Sequence, residues 1–239
     1  MSSRGFTFKR FHINHDRCAM KVGTDAILLG AWANVGGAWR ILDIGTGSGL
    51  IALMLAQRLA QRTEPAVNII GLELDEAAAL QAAANVQASP WAKQVEIVQG
   101  ALQQYSAIPF DVIVSNPPYF AHGQDFADAA RGKARHTGSL SLAELFCHSR
   151  RLLSEAGSLM LVLPTQALEE ALAQAAVHGF YTAEKLAVIT KEGKAAQRFL
   201  LRFSCVKCGE SADKLIINTS DGAYSESYVS LVSPFYLKM

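Results

Sequence analysis

Apolar, strand-like runs alternate with helical stretches from residue 39 onward, and this alternation limits the folds open to the chain. Strands that alternate with helices form a parallel sheet covered by helices on both faces. Only a polar turn separates the last two runs, so they predict an antiparallel hairpin at one edge. The pattern therefore predicts an α/β fold with a doubly wound, mostly parallel sheet of seven strands. The runs cover residues 40–44, 67–74, 95–98, 111–115, 158–163, 186–190 and 198–206, and the helical stretches cover residues 50–59, 76–88, 140–153 and 165–178.

The chain has 239 residues, of which 50% are hydrophobic, and a net charge of +1. This length suits one domain, which we divide into a basic and aromatic N-terminal extension (1–38), an α/β core (39–209) and a C-terminal tail (210–239). No apolar run approaches the roughly 20 residues that span a bilayer, and the first residues lack the apolar stretch of a secretory signal. Four cysteines without a disulfide-like pattern indicate reducing conditions. We expect a cytoplasmic protein without a membrane partner.

A glycine-rich turn lies between the first strand-like run and the first helix. It contains Asp43, Gly45, Gly47 and Gly49. Glycine lets the backbone turn sharply and approach a ligand closely, and ligands of open parallel sheets bind at this edge. Glu73 ends the second strand, where a carboxylate can accept both ribose hydroxyls of a nucleoside. A dinucleotide fits less well, because Leu50 replaces the last glycine of its fingerprint. A purely structural turn braced by Asp43 is the alternative.

The most specific segment is the strand-like run 111–115 with the turn that follows it, Asn116, Pro117, Pro118 and Tyr119. The two prolines fix φ and remove two amide donors, which leaves a stiff turn that presents carbonyl oxygens. The Asn116 side chain and the Pro117 carbonyl can accept the two N–H groups of an amine on an aromatic ring, and Tyr119 can stack on a base. These three residues are the predicted catalytic residues. A rigid turn with a core tyrosine is the alternative.

The pattern from Asp43 to Gly49, the acid Glu73 and the Asn-Pro-Pro-Tyr turn together resemble class I S-adenosylmethionine-dependent methyltransferases, which have a Rossmann-like sheet. The resemblance implies that S-adenosylmethionine is the cofactor, with the glycine loop against its methionine part, Glu73 on its ribose and Asp43 near its amino end. Residues 21–25 would pack over the methionine end. The family usually has an acid near Ala101, whose backbone would contact the adenine here. The cofactor-binding residues so implied are Asp43, Gly45, Gly47, Gly49, Glu73, Ala101, Lys21, Val22 and Thr24.

Charge is distributed unevenly along the chain. Residues 1–40 hold six basic and two acidic side chains, whereas residues 41–120 hold three basic and seven acidic ones. Segregated charge suits a protein that approaches a polyanion with one face. Basic residues alternate with phenylalanines in residues 6–12, and a long polar segment, residues 121–139, follows the catalytic turn. A core-facing edge strand and a disordered surface loop are the respective alternatives. The predicted RNA-contacting residues are Lys9, Arg10, Arg17, Arg131, Lys133 and Arg135.

With the segment 20–32, the Asn-Pro-Pro-Tyr turn and the basic, aromatic start, the chain resembles, over almost its whole length, bacterial enzymes that methylate N6 of adenine 37, beside the anticodon of a valine tRNA. We therefore expect methyl transfer to N6 of an RNA adenine, with a tRNA as partner and no DNA. Ribosomal RNA adenine and protein glutamine methyltransferases share the motif and stay alternatives, as does an RNA-binding module that only senses the cofactor. Cys205 and Cys208 have metal-ligand spacing, but zinc needs four donors and no second pair follows, so we expect no metal.

Overall fold

The structure, a computed structural model, describes residues 5–60, 67–118 and 140–238. In chain order the described elements are β1 (Gly5–Thr7), β2 (His12–Asn14), α1 (Thr24–Trp32), β3 (Arg40–Ile44), α2 (Leu50–Leu59), β4 (Asn68–Glu73), α3 (Glu76–Gln87), β5 (Val95–Gln99), β6 (Phe110–Ser115), α4 (Leu142–Leu152), β7 (Leu153–Pro164), a 3-10 turn (Thr165–Ala167), α5 (Leu168–Val177), β8 (Tyr181–Lys191), β9 (Arg198–Ser204), β10 (Ser211–Asn218) and α6 (Glu226–Val232).

Within these ranges, eight strands form one sheet in the order β10-β8-β9-β7-β6-β3-β4-β5. β9 is antiparallel to both of its neighbours, and the remaining neighbouring pairs are parallel. One apolar cluster joins the sheet to α1, α2 and the N-terminal strands, and a second joins it to α4 and α5. Burial on both faces explains the continuous apolar runs in the central strands. The predicted fold class is confirmed.

β10 is the strand that the alternation did not predict. The hairpin of β8 and β9 forms as predicted, but β10 pairs in parallel with β8 on its outer side, so the sheet has eight strands rather than seven. The first four residues of β10 are exposed, and Leu215 is its buried residue. The C-terminal tail therefore lacks the apolar run by which a buried strand is recognised.

Both terminal segments fold back onto the core. β1 and β2 pair antiparallel, and the rings of Phe8 and Phe11 between them are buried and stacked with centroids 4.6 Å apart. The ring of Phe6 meets that of Tyr236 edge-on at 5.8 Å. The phenylalanines of the extension thus face the core, as the structural alternative predicted.

Within the described part of the chain, no helix combines the length and the apolar character needed to cross a membrane.

Candidate active site

The carboxyl ends of three neighbouring strands form the floor of the site. In the sheet, Ile44 at the end of β3 pairs with Leu72 of β4 on one side and with Ser115 of β6 on the other. The glycine loop, Glu73 and the Asn116 turn therefore leave the sheet at the same edge. Sequence reasoning predicted this meeting of segments that are far apart in the chain, and the strand order explains it.

The glycine loop has a backbone that glycine favours. Gly45, Gly47 and Gly49 have φ angles of 67°, 56° and 82°, a left-handed region that costs other residues about 1–2 kcal/mol each. The amides of Gly45 and Thr46 donate to the Leu72 carbonyl at 2.8 and 3.1 Å, which fastens the loop to β4. The predicted sharp turn is thus present, and it leads directly into α2.

Glu73 supports this loop and also faces the site. Its Oε2 accepts a hydrogen bond from the Gly47 amide at 2.8 Å, and its Oε1 accepts one from the Asp75 amide at 3.0 Å. The same side chain lines a cavity at the edge of the sheet. Its predicted contact with the ribose of the cofactor stays a prediction.

Asp43 lies beneath the loop and is fully buried. Its Oδ2 accepts hydrogen bonds from the Thr46 hydroxyl at 2.6 Å and from the Ala52 amide at 3.2 Å, and its Oδ1 has no partner among the described residues. Burial raises the pKa of Asp43 to about 7, although both hydrogen bonds favour the ionised form. In this geometry Asp43 braces the loop, which is the structural alternative; contact with a cofactor amine stays a prediction.

Ser115 is a site residue that the sequence reasoning missed. Its buried hydroxyl donates to the Ile44 carbonyl at 2.8 Å, so the last residue of β6 is tied to the last residue of β3. Asn116 and the buried Pro117 follow at once. The tie therefore fixes the turn relative to the glycine loop. Tyr119, the third predicted catalytic residue, lies outside the described residues.

A cavity of about 180 Å³ lies between the loop, the acid and the turn. Most of its lining is apolar, which suits a flat ring, and Glu73 adds a carboxylate at one side. This combination fits a nucleoside whose ribose faces the acid and whose base lies among aliphatic side chains. The lining residues are Ile44, Gly45, Leu72, Glu73, Leu74, Gly100, Ala101, Leu102, Gln103, Ser115, Pro117, Pro118 and Leu140. The structure thus brings Gly45, Glu73, Ala101 and Pro117 together, as predicted.

The N-terminal strap, residues 14–22, runs along α3 toward the site. Gln81 of α3 holds its middle, and Cys18 lies close enough to Glu73 for the acid to act on the thiol. Burial, together with the charges of Glu73, Asp75 and Asp16, raises the pKa of Cys18 to about 11. Lys21 and Val22 end the strap, and Thr24 begins α1. These three predicted cofactor residues therefore lie at the end of the strap and just after it.

The predicted RNA-contacting residues lie in different parts of the molecule. Lys9 Nζ donates to the Ser233 carbonyl at 2.7 Å, and the Arg10 guanidinium lies 5.5 Å from the ring centre of Trp91. Trp91 precedes β5, so Arg10 lies near the amino ends of the strands, away from the cavity. Arg17 is exposed, and its amide bonds to Gln81 near the carboxyl edge. Arg131, Lys133 and Arg135 lie outside the described residues.

Metal ligands do not cluster in the described ranges, where no group of three or more His, Cys, Asp or Glu side chains is placed to hold an ion. Cys205 and Cys208 are free thiols.

A family model for the methyltransferase small domain matches residues 21–188. The chain belongs to the methyltransferase small domain family. This methyltransferase is 52% identical over 238 residues to the tRNA1(Val) (adenine(37)-N6)-methyltransferase of Aeromonas hydrophila, with 98% of both chains covered. It is 46% identical to the enzyme of the same name from Tolumonas auensis, with 100% of this chain and 99% of the other covered. The predicted enzyme class and its cofactor, S-adenosylmethionine, are confirmed.

Solved structures share the fold of this methyltransferase at low sequence identity. A crystal structure described as a predicted O-methyltransferase, from Agrobacterium tumefaciens, aligns with a TM-score of 0.67 and 20% identity, covering 88% of this chain and 96% of the other. A methyltransferase from Pyrococcus furiosus aligns with a TM-score of 0.54 and 22% identity, covering 76% and 81%. These likenesses support the Rossmann-like architecture.

Proposed function

We propose that this methyltransferase transfers a methyl group from S-adenosylmethionine to N6 of an adenine in RNA, namely adenine 37 beside the anticodon of a valine tRNA. One observation carries the proposal: the glycine loop, Glu73 and the prolines after Asn116 border the same cavity. Relatives that are 46% to 52% identical over nearly the whole chain carry the corresponding name. A substrate of this kind places the enzyme in the cytoplasm.

The donor side of the proposed site is built from the loop, the acid and the apolar walls. Glu73 accepts the ribose hydroxyls, and the backbone of Ala101 contacts the adenine ring between aliphatic side chains. The loop glycines face the methionine part, with Lys21, Val22 and Thr24 over its end. When bound, S-adenosylmethionine supplies a methyl group activated by a positively charged sulfur. No residue of the chain has to activate that carbon.

The acceptor side rests on the turn that Ser115 fixes. An amine on adenine is a poor nucleophile, because its lone pair is delocalised into the ring. Acceptance of its two N–H groups by the Asn116 side chain and the Pro117 carbonyl favours the form with a localised lone pair. Holding nitrogen and methyl carbon in line can account for up to about 7–11 kcal/mol of the barrier. We assign to Tyr119 the stacking of the base, worth roughly 1–3 kcal/mol.

The RNA approaches from the side of the strap. Arg17 lies nearest the cavity among the described candidates, and Lys9 and Arg10 lie further along the same extension. We assign Arg131, Lys133 and Arg135, in the segment that follows the turn, to phosphates near the target base. The adenine must leave its stack before its amine can reach Asn116. A loop nucleotide is easier to extrude than a paired one, which favours an anticodon loop.

The test is incubation of the purified enzyme with tritiated S-adenosylmethionine and total bacterial RNA, followed by mapping of the labelled nucleotide. We expect label at N6 of adenine 37 of valine tRNA. Asn116→Ala should lower transfer by about 1,000-fold, the upper range for loss of a group that stabilises a reacting centre, with cofactor affinity nearly unchanged. Asn34→Ala, at an exposed turn of the opposite edge, is the matched control.

Each alternative has a distinct outcome in this experiment. Label in ribosomal RNA or in protein glutamine would replace the tRNA assignment with one of the other nitrogen acceptors. Cofactor binding without transfer to any acceptor would make the protein a sensor. Unchanged transfer by Asn116→Ala would remove that residue from the mechanism.

A further inference from the structure

Asn85 of α3 joins the cofactor loop to the N-terminal strap. Its side-chain Nδ2 donates to the Ser48 carbonyl in the glycine loop and to the Asn14 carbonyl in the strap, both at 2.8 Å. Its Oδ1 accepts a hydrogen bond from the Asn14 amide at 3.0 Å. The residue is 2% exposed, so these hydrogen bonds are shielded from water. One buried amide therefore holds two backbone segments that are far apart in the chain.

Gln81, one helical turn earlier, holds the strap alone. Its Oε1 accepts hydrogen bonds from the Arg17 amide at 2.9 Å and from the Cys18 thiol at 3.2 Å, and its Nε2 donates to an Asp16 carboxylate oxygen at 2.5 Å. Residues four apart share a helix face, so Gln81 and Asn85 form hydrogen bonds with successive parts of the same strap. Gln81 is 6% exposed, comparable to Asn85. The two amides differ in that Asn85 also binds the loop.

We propose that Asn85 is a positioning residue that couples cofactor binding at the glycine loop to RNA binding at the strap. Ser48 stands between Gly47, whose amide donates to Glu73, and Gly49, which immediately precedes α2. Glycine-rich backbone has little rigidity of its own, so a second fixed point at Ser48 sets the loop's shape. A ligand that orders the loop thereby orders Asn14 and the strap that carries Arg17. Such coupling is reciprocal: RNA on the strap must raise cofactor affinity by the same factor.

The cofactor half of this inference stands without the proposed function, and the RNA half rests on it. The test compares Asn85→Leu with Gln81→Leu, since both variants lose a buried amide from one face of α3. Affinity for S-adenosylmethionine is measured by calorimetry with no RNA present. We expect the dissociation constant to rise about tenfold in Asn85→Leu and less than about twofold in Gln81→Leu, with similar losses in melting temperature. Turnover at saturating cofactor should stay within about threefold of wild type, because bound cofactor holds the loop.

RNA binding gives the second readout. Saturating tRNA should raise the cofactor affinity of the wild-type enzyme by about fivefold or more, the lower end of the usual range of coupling. It should leave the cofactor affinity of Asn85→Leu unchanged. Equal effects of the two variants on cofactor affinity would overturn the proposal. If Asn85→Leu does not fold, hydrogen exchange on the wild-type enzyme decides. Cofactor alone should then slow exchange at the Asn14 amide, and an unchanged rate would refute the coupling. Failure to label any RNA would contradict the proposed function only.

Discussion

The hydroxyl of Ser115 lies between the glycine loop and the turn that begins at Asn116. It donates to the Ile44 carbonyl, one residue before the glycine loop, and it immediately precedes Asn116. A shift of the turn relative to the loop changes the line between acceptor nitrogen and methyl carbon, and such alignment governs rate more than binding. The Ser115 side chain thus links the pairing of β3 with β6 to the alignment of the reacting atoms.

Ser115→Ala should lower turnover by about tenfold, with little change in cofactor affinity, and reduce the free energy of unfolding by about 1–3 kcal/mol, because a buried carbonyl loses its donor. Ser149→Ala is the matched control, since the buried Ser149 hydroxyl has no partner among the described residues. That control should leave turnover unchanged. Wild-type turnover in Ser115→Ala would show that strand pairing alone positions the turn.

Asp43 gives a prediction on pH. Burial raises its pKa from 3.8 to about 7, so the folded protein binds this proton more tightly than the unfolded chain. The stability that Asp43 contributes is therefore fully present below about pH 4 and is lost as the pH rises through about 7. Asp43→Asn cannot ionise, so its free energy of unfolding should fall less than that of wild type between about pH 4 and 7. Urea unfolding at a series of pH values measures both free energies of unfolding. Parallel pH profiles for wild type and Asp43→Asn would contradict the prediction.

At the scale of elements, strands with an apolar run were predictable and strands without one were not. The run 198–206 gave β9 and the polar turn before it gave the hairpin, whereas the exposed first half of β10 carries no such signal. The same holds within the site. The glycine loop and the Asn-Pro-Pro turn have short motifs, but Asn85 is one polar residue in an alanine-rich helix, and its role depends on a strap far away in sequence. The role of the buried Asn85 amide can be recognised only when the structure shows which face of α3 contacts the strap.

α4 begins at the cavity with a complete capping box. The Ser141 hydroxyl accepts from the Glu144 amide at 3.2 Å, and the Glu144 carboxylate accepts from the Ser141 amide at 3.0 Å. Hydrogen bonds to the carboxylate from the Ser141 hydroxyl, at 2.7 Å, and from the Ser141 amide lower the pKa of Glu144. Ser141→Ala should reduce the free energy of unfolding by about 1 kcal/mol, the typical value of such a cap, as measured by urea unfolding. Ser230→Ala, at an exposed position inside α6, should cost nothing, and equal losses would argue against the cap.

At the scale of the whole molecule, the two terminal segments pack together near the amino ends of the strands. Lys9 bonds to the Ser233 carbonyl, and Gln57 near the end of α2 donates to the Pro234 carbonyl at 2.9 Å. The basic extension therefore spans the molecule, from Lys9 at one edge to Arg17 at the other. We therefore expect an RNA bound at the proposed site to contact Arg17 rather than Lys9.

Arg17→Ala should accordingly weaken RNA binding more than Lys9→Ala does. Loss of one phosphate contact lowers the slope of log binding constant against log salt concentration by about 0.7–0.9. Filter binding at several salt concentrations therefore distinguishes a residue that contacts a phosphate from one that does not. Lys9→Ala should also lower the melting temperature, because its bond to the C-terminal segment is lost. An unaltered slope in Arg17→Ala would show that this charge does not touch the RNA.

The reversed direction of β9 places a surface ion pair at the carboxyl edge of the sheet. Because β9 is antiparallel to its neighbours, its first residue, Arg198, stands at the carboxyl edge, where it pairs with Asp25 of α1 at 2.9 Å. The contacts that hold the chain from Asn14 to Asp25 include hydrogen bonds to buried amides on α3 and this ion pair, whose partners are 39% and 36% exposed. Dissolved ions weaken an exposed pair but not a buried amide. Raised ionic strength should therefore loosen the Asp25 end of this segment before the Asn14 end.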